Sequence, residues 1–221
     1  ALGTDGAIWC VGDDGFAARI LGDKPVRVDF GTTARLSAVY AVRDEICVLG
    51  FDGKLRRWAE GKITELNTGT TKPLTAMAWT KSAWIVTGDG GFIGRSPDGT
   101  WFSRVKVDSE VDLEGISTLR DGRVIVVGDR GTILVSSDEG RTWTSVPNPL
   151  GLVHLWGVER FGGGVLIGGD DGLVVKVAPP GDLTWADHVD VFGGPRDLDV
   201  LFAAGPQGFI ERSLSLYLTA I

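Results

Sequence analysis

VVGDRGTILVSSDEGRTW, residues 126–143, holds the reading of the fold. An apolar run ends on Gly128-Asp129-Arg130-Gly131, a glycine-framed tight turn. A second apolar run, from Thr132 to Ser136, follows and gives way to a polar segment closed by Trp143. Two short apolar runs joined by such a turn are a β-hairpin signal. The turn recurs as GDDG at 12–15, GFDG at 50–53, GDGG at 88–91, GDRG at 128–131, GDDG at 169–172 and GPQG at 205–208. Successive last glycines stand 38, 38, 40, 41 and 36 residues apart. One such tetrapeptide carries no information, whereas six at near-constant spacing describe a repeat.

Each copy has the same surroundings: an apolar strand before the turn (AIWCV, EICVL, WIVT, VIVV, VLI, VLFAA) and another after it (TILVSS, FIGRS, LVVKV, FIERS). A polar turn, a further strand and a Gly/Pro/Asn-rich linker lead to a fourth strand such as RLSAVYAV, LTAMAWT or LVHLWGV. Four short strands per unit of about 40 residues, with no sustained 3.6-residue period, predict an all-β chain with almost no helix. The predicted architecture is a β-propeller, residues 1–221 forming one domain of six four-stranded antiparallel blades with the chain ends sharing a blade. A seventh, degenerate blade is the alternative. Within a blade the strands are A (innermost) to D (outermost). The G-x-x-G turn then joins B to C, on the face that also carries the D-to-A linkers.

Composition sets further bounds. The chain is 43% hydrophobic and 23% charged, ordinary for a globular domain, and its 33 glycines are scattered as a turn-rich fold requires. A formal charge of -7 argues against a nucleic-acid partner, which selects a basic face. No apolar run reaches the ~20 residues of a membrane helix, so no membrane insertion is expected. The start at Ala1 suits a mature secreted or periplasmic domain, or one cut from a longer chain, with the cytoplasm left open. Cys10 and Cys47 lie in apolar runs and are expected to be buried free thiols. Aligned on the glycine that ends strand B they fall on opposite strand faces, which disfavours a disulfide.

Ser136-Ser137-Asp138-Glu139-Gly140-Arg141-Thr142-Trp143 fits S-x-D-x-G-x-T-W, the BNR/Asp-box of sialidase-type propellers. Shorter copies stand at SPDGTW (96–101) and APPGDLTW (178–185). Recurrence at one point of successive blades assigns Ser136, Asp138, Gly140, Thr142 and Trp143 to structure. Their oxygens would bond the turn backbone while Trp packs between sheets. A sialidase resembling this pattern needs three arginines, a Tyr–Glu pair and an Asp; this chain has two tyrosines, Tyr40 and Tyr217. The run VVGDRGTILVSSDEGRTW also resembles the photosystem II assembly and stability factor-like family, whose blades read V-G-D-x-G-x-I-x-x-S-x-D-G-G-x-T-W. That resemblance implies a non-enzymatic assembly or docking platform. Photosynthetic members are similar to seven-bladed lumenal proteins with a basic patch, so this acidic chain points to a bacterial relative with another client.

The B–C turns carry Asp13, Asp14, Asp52, Asp89, Asp129, Asp170 and Asp171, expected to ring one end of the fold. Such a ring either follows from the liking of Asp for hairpin turns or supplies a field for a basic partner. Calcium is not expected, because D-D-G brings too few oxygens, and His154 and His188 have no ligand neighbours at zinc spacing. At the linker ends, Arg35, Lys72, Asp112, His154 and Arg196 precede strand A. Trp58, Trp79, Trp84 and Trp156 are expected to pack between blades, with Trp79 and Trp156, on inner strands, placed to reach a channel. These residues suit a protein partner, with a glycan ligand or sialidase-like glycoside hydrolase as the alternative. No cofactor, metal or catalytic residue is expected.

Overall fold

The computed structural model describes residues 1–42, 44–148, 151–161, 164–177 and 189–193. These form five antiparallel sheets in chain order. The first contains β1 (Ile8–Val11), β2 (Ala17–Leu21) and β3 (Lys24–Arg27). The second contains β4 (Leu36–Val42), β5 (Glu45–Gly50), β6 (Lys54–Ala59) and β7 (Lys62–Asn67). The third runs through β8 (Leu74–Trp79), β9 (Trp84–Gly88), β10 (Phe92–Ser96) and β11 (Ser103–Arg104). The fourth holds β12 (Leu113–Thr118), β13 (Val124–Gly128), β14 (Thr132–Ser136) and β15 (Thr144–Ser145). The fifth holds β16 (Leu155–Phe161), β17 (Gly164–Gly169), β18 (Val174–Val177) and β19 (Val189–Gly193). In the last four sheets sequence order is spatial order, so each repeat is an A-B-C-D meander as expected. Leu2 bridges Ile8, which sets residues 1–3 along the free edge of β1 in the A position. The GPQG repeat, and with it the number of blades and the closure at the chain ends, lies outside the described residues.

The glycine tetrapeptides earn their place twice. In four of them the residues before and at the last glycine both take positive φ (Asp14 54°, Gly15 65°; Gly90 66°, Gly91 66°; Arg130 55°, Gly131 70°; Asp171 56°, Gly172 71°), the two-residue type I′ hairpin turn. A Cβ on the last glycine would also strike the backbone of the next linker: Thr32 at Gly15, Ser109 at Gly91, Gly151 at Gly131. The turn is thus a hairpin and a seat for the neighbouring sheet. GFDG departs from the pattern: Asp52 is not left-handed, and its carboxylate folds onto Arg56 instead.

Sheets stack face to face with strict alternation. Counting back from the glycine that ends strand B, the first and third residues meet the following sheet, and the second and fourth meet the preceding one. Trp9 accordingly packs with Ile46 and Val48, Leu49 and Cys47 with Val86, Ile85 with Val124 and Val126, and Ile125 with Val165 and Ile167. Between the second and third sheets the Ser37 hydroxyl donates to Leu74 O at 2.6 Å, and the Thr75 hydroxyl donates to Leu113 O one sheet further on. Arg56 is buried between Asp52 (3.1 and 2.5 Å) and Glu65 (3.1 Å).

The Asp-box is a covalently local staple. Asp138 accepts from the Ser136 hydroxyl at 2.8 Å, the Arg141 and Thr142 amides at 3.0 and 2.8 Å, and the Thr142 hydroxyl at 2.7 Å. Burial opposes ionisation of Asp138, but these bonds outweigh it and hold the carboxyl down at about 2. SPDGTW repeats the arrangement two residues shorter, with Asp98 accepting from the Ser96 hydroxyl and from the amide and hydroxyl of Thr100. Trp143 packs against the core between the third and fourth sheets as expected. Trp101 does not: it is 63% exposed, a correction that follows from the two missing residues, which alter where the tryptophan emerges. The APPGDLTW copy and His188 lie outside the described residues. Cys47 is buried, and burial, then the Glu45 charge, push its thiol up to about 12. Cys10 is exposed, against expectation.

Candidate functional site on the B–C turn face

In four of the described G-x-x-G turns the first inner residue is drawn toward the inner strands by one repeated bond. The amides of Phe51, Asp89, Asp129 and Asp170 donate to the carbonyls of Arg35, Pro73, Asp112 and His154, the residues just before strand A. Turn and linker are therefore locked together, and a side chain on one reaches a side chain on the other. A second repeated feature aims groups here. The residue after the Leu that opens strand A sits at a bulge in all four complete sheets: Ser37, Thr75, Glu114 and Trp156. A bulge redirects its side chain. In the second and third sheets the bulge hydroxyl is spent on the neighbouring strand; in the fourth and fifth the chain places a carboxylate and an indole.

The result is a polar cluster centred on the fourth and fifth sheets. His154 Nδ1 donates to Asp129 Oδ1 at 2.5 Å, and its ring stacks on Trp156 with centroids 5.6 Å apart and planes 12° from parallel. Trp156 is half exposed, and its indole N–H donates to Asp170 Oδ1 at 2.7 Å. One carboxylate thus orients the imidazole and another the indole. Burial, then the charges of Asp129, Asp89 and Asp112, push the Glu114 carboxyl up to about 7. Burial, then Asp112, also raises Asp89, with Lys72 opposing. The hydrogen bond to Asp129, then its charge, raises the His154 imidazole. Next to this cluster a groove of about 380 Å³ runs between the second and third sheets, lined by Asn67, Thr70, Lys72, Asp89, Phe92 and Arg104.

No family model and no curated protein matches the sequence. Among solved structures the chain superposes on YCF48 from Cyanidioschyzon merolae with a TM-score of 0.63, at 14% identity, over 86% of this chain and 69% of that one. It superposes on the WD40 β-propeller domain of Doa1 with a TM-score of 0.66, at 16% identity, over 77% and 60%. On virginiamycin B lyase from Staphylococcus aureus the TM-score is 0.71, at 14% identity, over 87% and 68%. The chain has a β-propeller fold.

The propeller separates the residues singled out from the sequence into two groups. Asp112, Asp129, His154, Trp156 and Asp170 come together, with Asp89 and Lys72 beside them. Arg35 stands apart, 3.3 Å from Asp13 and over the Phe51 ring at 4.8 Å. Asp52 leaves the expected ring for Arg56, while Asp14 and Asp171 occupy the outer left-handed turn position, so the acids do not make an even circle. Arg196 lies outside the described residues. Trp58 packs on Trp9 of the first sheet, and Trp84, which also pairs with Trp79 of its own sheet, packs against the core between the second and third sheets, whereas Trp156 is half exposed. Glu114 was missed. Its signal was present: it follows the Leu of strand A where the earlier repeats have Ser37 and Thr75. Among the described residues no cluster of His, Cys, Asp and Glu has the geometry to hold a metal ion.

Proposed function

We propose that this chain is a non-catalytic docking platform, closed as a six-bladed ring, whose B–C turn face takes a basic segment of a protein partner. The observation that carries the reading is the aromatic–carboxylate cluster: the half-exposed Trp156 ring, fixed by His154 and Asp170, beside Asp129 and Glu114. A Lys or Arg side chain over an indole face gains cation–π attraction, and the carboxylates steer it there. It would also offset the neighbouring carboxylate charges that, after burial, raise Glu114 to about 7. Arrays of basic and acidic peptides of equal length test this. Basic peptides should bind, weaken with added salt, and lose affinity by about tenfold or more on Trp156→Ala. Equal binding of acidic peptides sinks the reading.

A second reading rests on the same tryptophan. An exposed indole next to carboxylates, one of them raised to about 7, is also how a carbohydrate site is built. Binding of the intact chain on a glycan array, with no preference among the peptides, would put this reading first.

A further inference from the structure

The third repeat departs from its siblings at one turn position. The third letter of the five described G-x-x-G turns is Asp14, Asp52, Gly90, Arg130 and Asp171, so one copy has no side chain there. Gly90 keeps the left-handed backbone of the position, φ 66°, where Asp14, Arg130 and Asp171 stand at 54°, 55° and 56°. The side chain of Lys72, from the linker that precedes this sheet, lies in the space left open. A Cβ on Gly90 would strike the ammonium end, and the lysine stem passes 3.2 and 3.4 Å from the same point. This turn and that linker both line the groove of about 380 Å³ between the second and third sheets, a volume in the range of small-ligand clefts. Most of its polar side chains are donors. The Lys72 amide bonds Thr70 Oγ1 at 3.0 Å, which fixes the root of the side chain. Asn67 spends its carbonyl oxygen on the Gly69 amide at 2.9 Å, which leaves its NH2 to donate. Arg104 enters from β11, and the one carboxylate in the lining is Asp89. Around the preceding turn the cations are spent: Arg35 on Asp13, Lys54 on Glu65, Arg56 on Asp52 and Glu65. Lys72 and Arg104 make no salt bridge among the described residues, although the chain carries a formal charge of -7.

We propose that this groove binds a single carboxylate with an N–H donor beside it, the chemistry of an acidic residue in a peptide or of a free N-acylated amino acid. The Arg104 guanidinium and the Lys72 ammonium take the carboxylate, the first able to bond both its oxygens at once. The Asn67 NH2 and the Thr71 hydroxyl supply further donors, and Asp89 accepts from the neighbouring N–H. A phosphate fits less well, because its second charge is repelled by Asp89, on which the charges of Asp112 and Asp129 also act. The same three acids turn away a run of acidic residues, so the groove takes one acid in a neutral setting. This goes beyond the docking reading and stands apart from it, since it uses neither Trp156 nor a basic residue of a partner.

Amide NMR titrations of the intact chain at constant ionic strength test this with four probes: N-acetylglycine, the capped pentapeptide Gly-Gly-Glu-Gly-Gly, its glutamine counterpart, and inorganic phosphate. At least one of the two carboxylate probes should shift the amides of residues 69–72 and 89–92 saturably, and the tighter of the two identifies the source as free acid or peptide. The glutamine peptide should bind at least about tenfold more weakly than the glutamate one. Gly90→Asp rebuilds the GDDG letters of two sibling turns, so the fold tolerates it, and it should abolish binding by setting a carboxylate where Lys72 lies. Arg104→Gln should weaken binding about tenfold. The proposal is overturned if neither carboxylate probe shifts these amides saturably, if glutamine serves as well as glutamate, or if phosphate binds tighter than both carboxylates. Unchanged binding in Gly90→Asp also overturns it. Should that variant lose its native spectrum, Lys72→Gln, a change at an exposed side chain, decides by the affinity alone. None of the probes carries a cation for Trp156, so this inference and the basic-peptide reading fail separately.

Discussion

Asp138→Ala removes the hub of the complete Asp-box and should destabilise the protein by about 2–3 kcal/mol. Four hydrogen bonds end on this carboxylate, two from backbone amides and two from hydroxyls. Each is worth about 0.5–1.5 kcal/mol net, and solvent access to the turn places them toward the low end. Asp98→Ala removes three bonds, all on one oxygen, in the shortened and more exposed box, and should cost less than Asp138→Ala. Urea unfolding followed by tryptophan fluorescence should give a lower midpoint for both variants with an unchanged slope, Asp138→Ala the lower of the two. The pH dependence has a definite sign. The folded carboxyl of Asp138 is held at about 2, below its ordinary 3.8, so its contribution is complete above about pH 4 and is lost as pH falls toward 2. Wild type and Asp138→Ala should converge in stability at the acid end. A cost under about 0.5 kcal/mol for Asp138→Ala, the level of an ordinary surface change, would refute the staple.

Gly91 and Gly22 both have positive φ, but only Gly91 abuts backbone of the next linker. Gly22→Ala should cost about 1 kcal/mol of conformational strain, and Gly91→Ala more than about 3 kcal/mol, in the same urea assay. Arg56→Ala leaves Asp52 and Glu65 facing each other without their shared cation and should cost about 2–4 kcal/mol; Asp52→Asn should cost less. Glu114 should titrate with a midpoint near 7 by side-chain NMR, and Asp129→Asn should lower that midpoint. Because its folded value lies above the ordinary 4.5, Glu114 costs stability as pH rises from about 4.5 through 7, and Glu114→Gln should flatten that slope. A midpoint at the ordinary glutamate value would dismantle the carboxylate cluster.

How much was legible follows from what repeats. The B–C turns, the four-strand order and the Asp-box bonds each answer to local chemistry stated several times over: a D-G or R-G turn needs left-handed backbone, and an S-x-D box bonds its own amides. Sequence alignment could therefore place them without knowing what lay opposite. It failed where a copy is imperfect. Asp52 was grouped with the other turn acids because its letter matched, yet one changed neighbour, Phe51, alters the turn and sends the carboxylate to Arg56. Trp101 was grouped with Trp143, but the shorter box leaves it in solvent. Glu114 was passed over because its column turns from the hydroxyls of Ser37 and Thr75 to a carboxylate and then an indole, with no one chemistry in common. Only the bulge beneath them is shared.

The sequence alone determined that a forty-residue, four-stranded meander is repeated, because hairpin turns and alternating strands are encoded within a few residues of chain. Which faces of those meanders meet, and which charged groups then share one corner, was decided only in three dimensions. Asp129, His154, Trp156 and Asp170 belong to two repeats, and their proximity comes from one sheet packing on the next, which no single repeat contains.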